Sequence, residues 1–224
     1  MRTMIKICGV TNEKDVNFIS MLDVDFIGFN LVSGSKRAVS ENALKKLVSM
    51  VPSYINSVAV MVNPELKDVK RIIKKTGISF YQLHGDESVD FVRDVKELGA
   101  KVIKAFRFSD GDSVEKVLPY AECADYLLVD SFSPETQGGT GIRYSADIAR
   151  GVKGMGLPMF LAGGLNPDNA AEAVEDIEPF AVDTASGVEN SPRSKDIEKI
   201  RAFIRAVRVP LGTVPNGVVE SRKK

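Results

Sequence analysis

The chain has 224 residues, 44% of them hydrophobic and 27% charged, an ordinary balance for a soluble globular protein with room for two small domains or one large α/β domain. Lys plus Arg and Asp plus Glu each total 30, so the net charge is zero, and no basic field argues for nucleic-acid binding. The absence of a long apolar run, a signal-peptide core, a cysteine framework or a CxxC pair excludes the simplest membrane, secreted and zinc-bound classes; a cytoplasmic, metal-free protein is expected.

Short β-branched or aromatic runs recur near Ile5, Ile27, Val58, Phe80, Val102, Leu127, Phe160 and Val182. Helical spacing fills the gaps. Residues Glu41 to Met50 put Leu44, Leu47 and Val48 on one face, and Glu65 to Lys75 do the same with Leu66, Val69, Ile72 and Ile73. Asp90 to Leu98 align Phe91, Val95 and Leu98, and Ile197 to Val207 align Ile200, Phe203, Ile204 and Val207. Eight strand–helix units of about 28 residues account for almost the whole chain, the pattern of a (βα)8 TIM barrel in a single domain. A doubly wound open sheet usually has fewer strands at this length, and its glycine fingerprint after the first strand is missing. The barrel is expected over residues 1–208, with 209–224 a flexible C-terminal extension.

In such a barrel chemistry collects where the strands end. The first strand ends in Cys8-Gly9, the second leads through Gly28-Phe29-Asn30 to Ser35-Lys36-Arg37, and the fourth ends in Gln82-Leu83-His84-Gly85-Asp86-Glu87. The sixth ends in Asp130-Ser131, the seventh in Gly163-Gly164-Leu165-Asn166 and the eighth in Asp183 through Ser186-Gly187. Strand starts at Met4, Ile78 and Pro158 are plain. Alternation sets Lys6 and Cys8 on one face of the first strand and Gln82 and His84 on one face of the fourth. If Ile5 and Ile7 face the helices, Lys6 points into the barrel and needs a buried counter-ion, for which Asp183 is the candidate.

Three glycine-rich loops, at Gln137–Gly141, Ala162–Pro167 and Ala185–Gly187, crowd the last strands, where barrels often bind phosphate through backbone N–H groups. Taken singly, several residues stay ambiguous. Cys8 could be a small buried hydrophobe, as Cys123 is expected to be; His84 could be a structural imidazole and Arg37 a solvated charge. Asp130 closes the apolar run Leu127-Leu128-Val129, and one-sided desolvation suits a carboxyl to act as an acid. Asp147, Asp168 and Asp196 read as helix caps or first-turn residues.

In order along residues 5 to 206, Lys6-Ile7-Cys8-Gly9, Ser35-Lys36-Arg37, Gln82 through Glu87, Leu128-Val129-Asp130-Ser131, Gly138-Gly139-Thr140-Gly141, Ala162 through Pro167 and Val182 through Glu189 form a specific set. The chain thereby resembles the phosphoribosylanthranilate isomerase family of tryptophan biosynthesis. That resemblance implies an Amadori rearrangement of N-(5-phosphoribosyl)anthranilate to 1-(2-carboxyphenylamino)-1-deoxyribulose 5-phosphate, without cofactor or metal. Asp130 would be the general acid at the ring oxygen. Cys8 would be the general base at C2, its thiol pKa lowered by positive charge such as Lys6. Arg37 would hold the anthranilate carboxylate, Gln82, His84 and Asp183 would line the pocket, and Gly141, Gly163, Gly164, Ser186 and Gly187 would hold the phosphate. The implied partner is a small phosphosugar, not nucleic acid or a membrane, with monomer and homodimer both open. Two segments depart from the family pattern: Asn30 to Gly34 where it often has an aromatic-Tyr-Pro stretch, and Ile142 to Ala146 where it often has Lys-x-Phe-x-Trp. The competing readings are a histidine-pathway aldose isomerase, which carries an aspartate where this chain has Cys8, and a non-catalytic phosphosugar-binding barrel.

Overall fold

In a computed structural model, which describes residues 2–108, 112–130 and 146–209, eight parallel strands close on themselves. They are β1 (Met4–Ile7), β2 (Phe26–Asn30), β3 (Asn56–Met61), β4 (Phe80–Leu83), β5 (Lys101–Arg107), β6 (Tyr126–Asp130), β7 (Met159–Ala162) and β8 (Ala181–Thr184). Each pairs with the next, and β8 returns to β1 with Lys6 opposite Asp183. The helices α1 (Glu13–Ile19), α2 (Glu41–Val48), α3 (Leu66–Thr76), α4 (Val89–Glu97), α5 (Leu118–Ala121), α6 (Ala146–Lys153), α7 (Ala170–Ile177) and α8 (Ile197–Arg208) alternate with them. A small hairpin of β9 (Glu189–Ser191) and β10 (Ser194–Lys195) precedes α8. This is the expected (βα)8 barrel. Apart from Val209, the expected C-terminal extension lies outside the described residues.

Local chemistry fixes the helix starts. Asn12 accepts from the Asp15 N–H at 2.9 Å, Ser40 and Ser88 cap α2 and α4, and Asp196 accepts from the N–H groups of Glu198 and Lys199. Such caps satisfy donors the helix leaves unpaired and are worth about 0.5–2 kcal/mol each. Asp196 therefore does what was expected of it, and Asp147 lies in the first turn of α6. Asp168 does not cap: Asn169 stands at the N-cap of α7, and Asp168 only donates its N–H to Asn166. The helical faces follow the expected spacing, with Val48, Leu66, Ile73 and Ile204 half-buried at the edges of their faces, and α4 adds a residue the spacing had not included. It buries Val92 and Val95, with Phe91 and Leu98 half-buried against the core on either side.

Strand alternation divides the core in two. Ile5, Ile7, Ile27, Phe29, Tyr81, Leu83, Val102, Leu127, Val129, Leu161 and Val182 point outward and pack under the helices. Phe26, Val58, Phe80, Ile103, Ala105, Leu128, Phe160, Ala162 and Ala181 point inward and fill the barrel. The inward set continues toward the strand ends as Lys6, Gln82 and Asp183, all buried. Hydrophobic filling thus stops part-way up the barrel, and polar side chains take over at the mouth.

Candidate active site

A cavity of about 260 Å³ opens at that mouth, lined among others by Cys8, Arg37, Gln82, His84, Asp130 and Asp183, with Gly163, Gly164 and Ser186 on the β7 and β8 side. A larger cavity of about 690 Å³ lies at the opposite end. Its arginines, Arg2 and Arg208, are engaged with Asp23 and Asp25, so the smaller, chemically loaded cavity is the candidate site.

Backbone geometry delivers the thiol. The Cys8 N–H donates to the Thr184 carbonyl at 2.8 Å, which extends the β1–β8 ladder past Ile7. Gly28 on the neighbouring strand makes room: a Cβ there would come within 2.7 Å of the Cys8 sulfur. Cys8 is partly buried, whereas Cys123 is buried, as expected. Beneath the thiol, Lys6 is wholly enclosed and donates to Asp183 Oδ2 at 2.7 Å and to Gln82 Oε1 at 2.8 Å. Asp183 is thus the counter-ion Lys6 required. Burial opposes the Lys6 charge, but Asp183 holds its pKa above the ordinary value, so it remains an ammonium.

Cys8 departs from expectation. Burial pushes its thiol above the ordinary value; Lys6 and Lys195 pull it down, Asp183 pushes it further up, and the balance is upward. Burial outweighs the pull of Lys6, and the Asp183 carboxylate paired with that lysine adds to the upward push.

On the other wall, His84 Nδ1 lies 3.0 Å from Gln82 Nε2, and His84 Nε2 lies 3.3 Å from Asp130 Oδ2. That second contact is close enough for an ion pair but is not aligned as a hydrogen bond, so His84 Nε2 and Asp183 Oδ1 are both buried without a partner. Each is a residue of the cavity lining. Buried polar atoms seldom stay unpaired, and a ligand bearing hydroxyl and ring oxygens would satisfy one donor and one acceptor there.

Arg37 is not the free charge a polar loop suggested. Its Nε and Nη2 grip Glu189 at 2.9 and 2.5 Å, leaving the Nη1–Nη2 edge of the fork for another acceptor. Glu189 also accepts from Lys195 Nζ at 3.0 Å, and Lys195 donates to the Ala185 carbonyl at 2.8 Å. Burial alone would raise Glu189, yet Arg37 and Lys195 hold its pKa below the ordinary value, and burial lowers Lys195. The loops after β7 and β8 are tied by Thr184 Oγ1 donating to the Leu165 carbonyl at 2.6 Å. Gly163 and Gly164 have φ of 97° and 66°, left-handed values that suit glycine. Gly187 continues the β8 loop beside them, while Gly141 lies outside the described residues. Among the described residues no group of three or more His, Cys, Asp or Glu is placed to hold a metal ion.

Comparison with known proteins now bears on this arrangement. A family model described as N-(5'phosphoribosyl)anthranilate (PRA) isomerase matches residues 5–206. A curated N-(5'-phosphoribosyl)anthranilate isomerase of Citrifermentans bemidjiense is 40% identical over 202 residues, covering 90% of this chain and 95% of the relative. The chain belongs to the phosphoribosylanthranilate isomerase family. Among solved structures, the phosphoribosylanthranilate isomerase of Thermotoga maritima superposes with a TM-score of 0.83 at 32% identity, covering 92% of this chain and 98% of that one. Another, solved in complex with reduced 1-(o-carboxyphenylamino)-1-deoxyribulose 5-phosphate, gives 0.81 at 31% over the same shares.

Residues from six of the motifs, Cys8, Arg37, His84, Asp130, Gly163 and Asp183 among them, line one cavity, Gly138 to Gly141 lie outside the described residues, and the first atypical segment has a local explanation. Asn30 accepts from the Val32 N–H at 2.7 Å and donates to Ser35 Oγ at 3.0 Å, and Ser35 Oγ accepts from the Arg37 N–H at 3.2 Å. An Asx turn therefore does the work of carrying the loop to Arg37. The second segment lies outside the described residues up to Ala146, which opens α6. Sequence reasoning did not single out Arg107 or the Glu189–Lys195 pair as parts of the site. Their signal is weak: Glu189 is 152 residues from Arg37, and only the folded hairpin brings them together.

Proposed function

We propose that this chain performs the Amadori rearrangement of N-(5'-phosphoribosyl)anthranilate, with Asp130 as general acid and Cys8 as general base. Membership of the family makes it an isomerase; the residue roles are the step taken here. The carrying observation is that a thiol and a carboxyl line one cavity together with an arginine fork and the paired β7 and β8 loops.

Asp130, as the carboxylic acid, protonates the furanose ring oxygen. The C1–O bond breaks as the anilino nitrogen lone pair forms a protonated Schiff base. The Cys8 thiolate then removes the C2 proton, and the C2–H electrons move toward the iminium to give an enolamine. This tautomerises to the ketone, the C2 hydroxyl losing a proton while C1 gains one. Exchange with solvent returns the proton taken by Cys8 to Asp130. The free edge of Arg37 suits the anthranilate carboxylate, Asp183 Oδ1 suits a ribose hydroxyl, and the N–H groups of Gly163, Gly164, Ser186 and Gly187 suit the phosphate. Anchoring both ends of the substrate spares the chemical step the cost of orientation.

Steady-state turnover of N-(5'-phosphoribosyl)anthranilate tests the roles. Cys8→Ser and Asp130→Asn should each lower kcat by about 10²- to 10⁴-fold, the usual worth of a general acid or base. Either variant turning over at the wild-type rate would remove that residue from the mechanism. If the protein bound the phosphosugar without converting it, the reading as a catalyst would fail.

A further inference from the structure

Gln82 and His84 stand side by side on the inward face of β4, and the chemistry beneath them dictates their hydrogen positions. Lys6 is an ammonium and has donors only. The Gln82 oxygen must therefore be the atom facing Lys6 Nζ, 2.8 Å away. That leaves the Gln82 NH2 facing His84 Nδ1 at 3.0 Å, and since the amide nitrogen can only donate, Nδ1 must accept. A neutral imidazole that accepts at Nδ1 carries its hydrogen at Nε2. Nε2 is the buried atom 3.3 Å from Asp130 Oδ2. Gln82 is itself buried, and the backbone N–H of His84 donates to the Met61 carbonyl at 2.8 Å, which fixes the strand end from which the ring projects.

We propose that Gln82 is a positioning residue that locks His84 in the Nε2-protonated tautomer, so that His84 presents a donor, never an acceptor, to Asp130. The proposal rests on the reading of Asp130 as the general acid. With the opposite tautomer, the Nε2 lone pair would face the protonated Asp130 and take a hydrogen bond from it, holding the catalytic proton away from the sugar. With the Nε2-protonated tautomer His84 offers that proton no lone pair, and the substrate ring oxygen is left to receive it. Once the proton has moved, the His84 N–H faces the new carboxylate, together with Arg107, whose Nε is 3.9 Å from Asp130 Oδ2. The interaction strengthens as the carboxylate charge develops, which is when it can aid catalysis. The chain of contacts runs from Asp183 through Lys6 and Gln82 to His84 and Asp130, and each link sets the donor direction of the next.

The chain contains one histidine, so a single pair of imidazole ¹⁵N resonances reports the tautomer without assignment. In the wild-type protein at neutral pH, Nε2 should show the shift of a protonated ring nitrogen and Nδ1 that of an unprotonated one. A spectrum with the hydrogen at Nδ1, or of an imidazolium, would overturn the proposal before any variant is made. Gln82→Glu replaces the donor with a second acceptor; it should move the hydrogen to Nδ1 or give an imidazolium, and lower kcat about tenfold or more with a smaller change in KM. Gln82→Met removes the donor without adding charge and should leave His84 in a mixture of both tautomers. An unchanged tautomer in both variants, or an unchanged kcat in a variant whose tautomer has moved, would overturn it. Failure of the underlying reading looks different: Asp130→Asn would keep wild-type turnover while the wild-type ¹⁵N pattern still matched.

Discussion

The lower and upper halves of the barrel interior stand on the same eight strands and obey the same alternation, yet one is sealed with rings and the other is wired with charge. In the lower half Phe160 meets Phe26, Tyr126 and Phe180 edge-on with centroids 5.3, 5.7 and 5.6 Å apart. These contacts are tolerant: edge-to-face geometry is broad, and much of the gain is burial. In the upper half Lys6, Asp183, Gln82 and His84 leave little tolerance, because each buried donor demands a particular acceptor. The difference teaches where this fold stores stability and where it stores chemistry, and it shows that a buried charge can belong to the second class.

Substitution in the two halves should separate these roles. Lys6→Met would leave Asp183 buried without its counter-ion, a loss of about 3–5 kcal/mol, and would also free Gln82 to rotate. Phe160→Ala would cost a similar amount, about 3–5 kcal/mol, through a cavity. Chemical denaturation should find both strongly destabilised. Turnover under conditions where each stays folded should be crippled in Lys6→Met and close to wild type in Phe160→Ala. Equal kinetic damage in the two would erase the distinction between the halves.

Acid–base behaviour sharpens the comparison next. The Cys8 pKa is raised, chiefly by burial. A base must be deprotonated to work, so raising its pKa moves the working range upward. Asp130 must keep its proton while Cys8 has lost its own, so kcat/KM should be bell-shaped, and its alkaline limb, where neither group holds a proton, should fall about tenfold per pH unit from a point on the alkaline side of an ordinary thiol. The pH–rate profile of the free enzyme checks this. An alkaline limb that already sets in below neutrality would mean that Lys6 and Lys195 outweigh burial at the sulfur.

A smaller effect is expected one step back from the substrate. Glu189→Gln keeps the shape but removes the charge that grips Arg37 and Lys195. Losing charge assistance at a hydrogen bond is worth about 1.5–3 kcal/mol, and most of it should appear in KM as the fork loses its fixed direction. A fall in kcat with KM unchanged would place Glu189 nearer the chemistry than its contacts suggest.

Which of this was legible in the sequence depends on the reach of each interaction. Strands, most helical faces and the caps at Ser40, Ser88 and Asp196 are local, and spacing or a single side chain declares them. The Lys6–Asp183 pair was also within reach, because alternation forces Lys6 inward and the closing of β1 on β8 sets it opposite Asp183. The Arg37–Glu189 grip was not, since it needs the exact course of a loop and a hairpin. Lys104 was hidden for another reason. On β5 it falls on the outward face, among apolar neighbours, where it is buried against Glu87 at 3.0 Å and donates to the Gly85 carbonyl at 2.7 Å. Alternation assigns that face to hydrophobic residues, so a lysine there reads as a surface charge until the fold shows it bracing the turn after His84. The direction of the Cys8 pKa was misread because sequence supplies the neighbouring charge and not the burial that outweighs it.

The smallest effect belongs to the charges at the closed end. Arg2 pairs with Asp23 at 2.9 Å and with Asp25 at 2.5 Å, but half of its side chain is exposed, and Arg208 reaches the same two acids from α8. Arg2→Ala should therefore cost no more than about 1 kcal/mol, and catalysis should not change. Asp25→Asn should cost more, because Asp25 Oδ2 also accepts the Ile5 N–H at 2.8 Å and the buried strand end would lose part of its acceptor. A denaturation series on the two variants ranks them. If Arg2→Ala were the more damaging, the ion pairs at this end would be holding the barrel shut as Lys6 holds the mouth, and the contrast between a tolerant base and an exacting mouth would fail. Redundancy argues for the opposite result: two arginines share two acids at the base, whereas Lys6 alone answers Asp183 and Gln82.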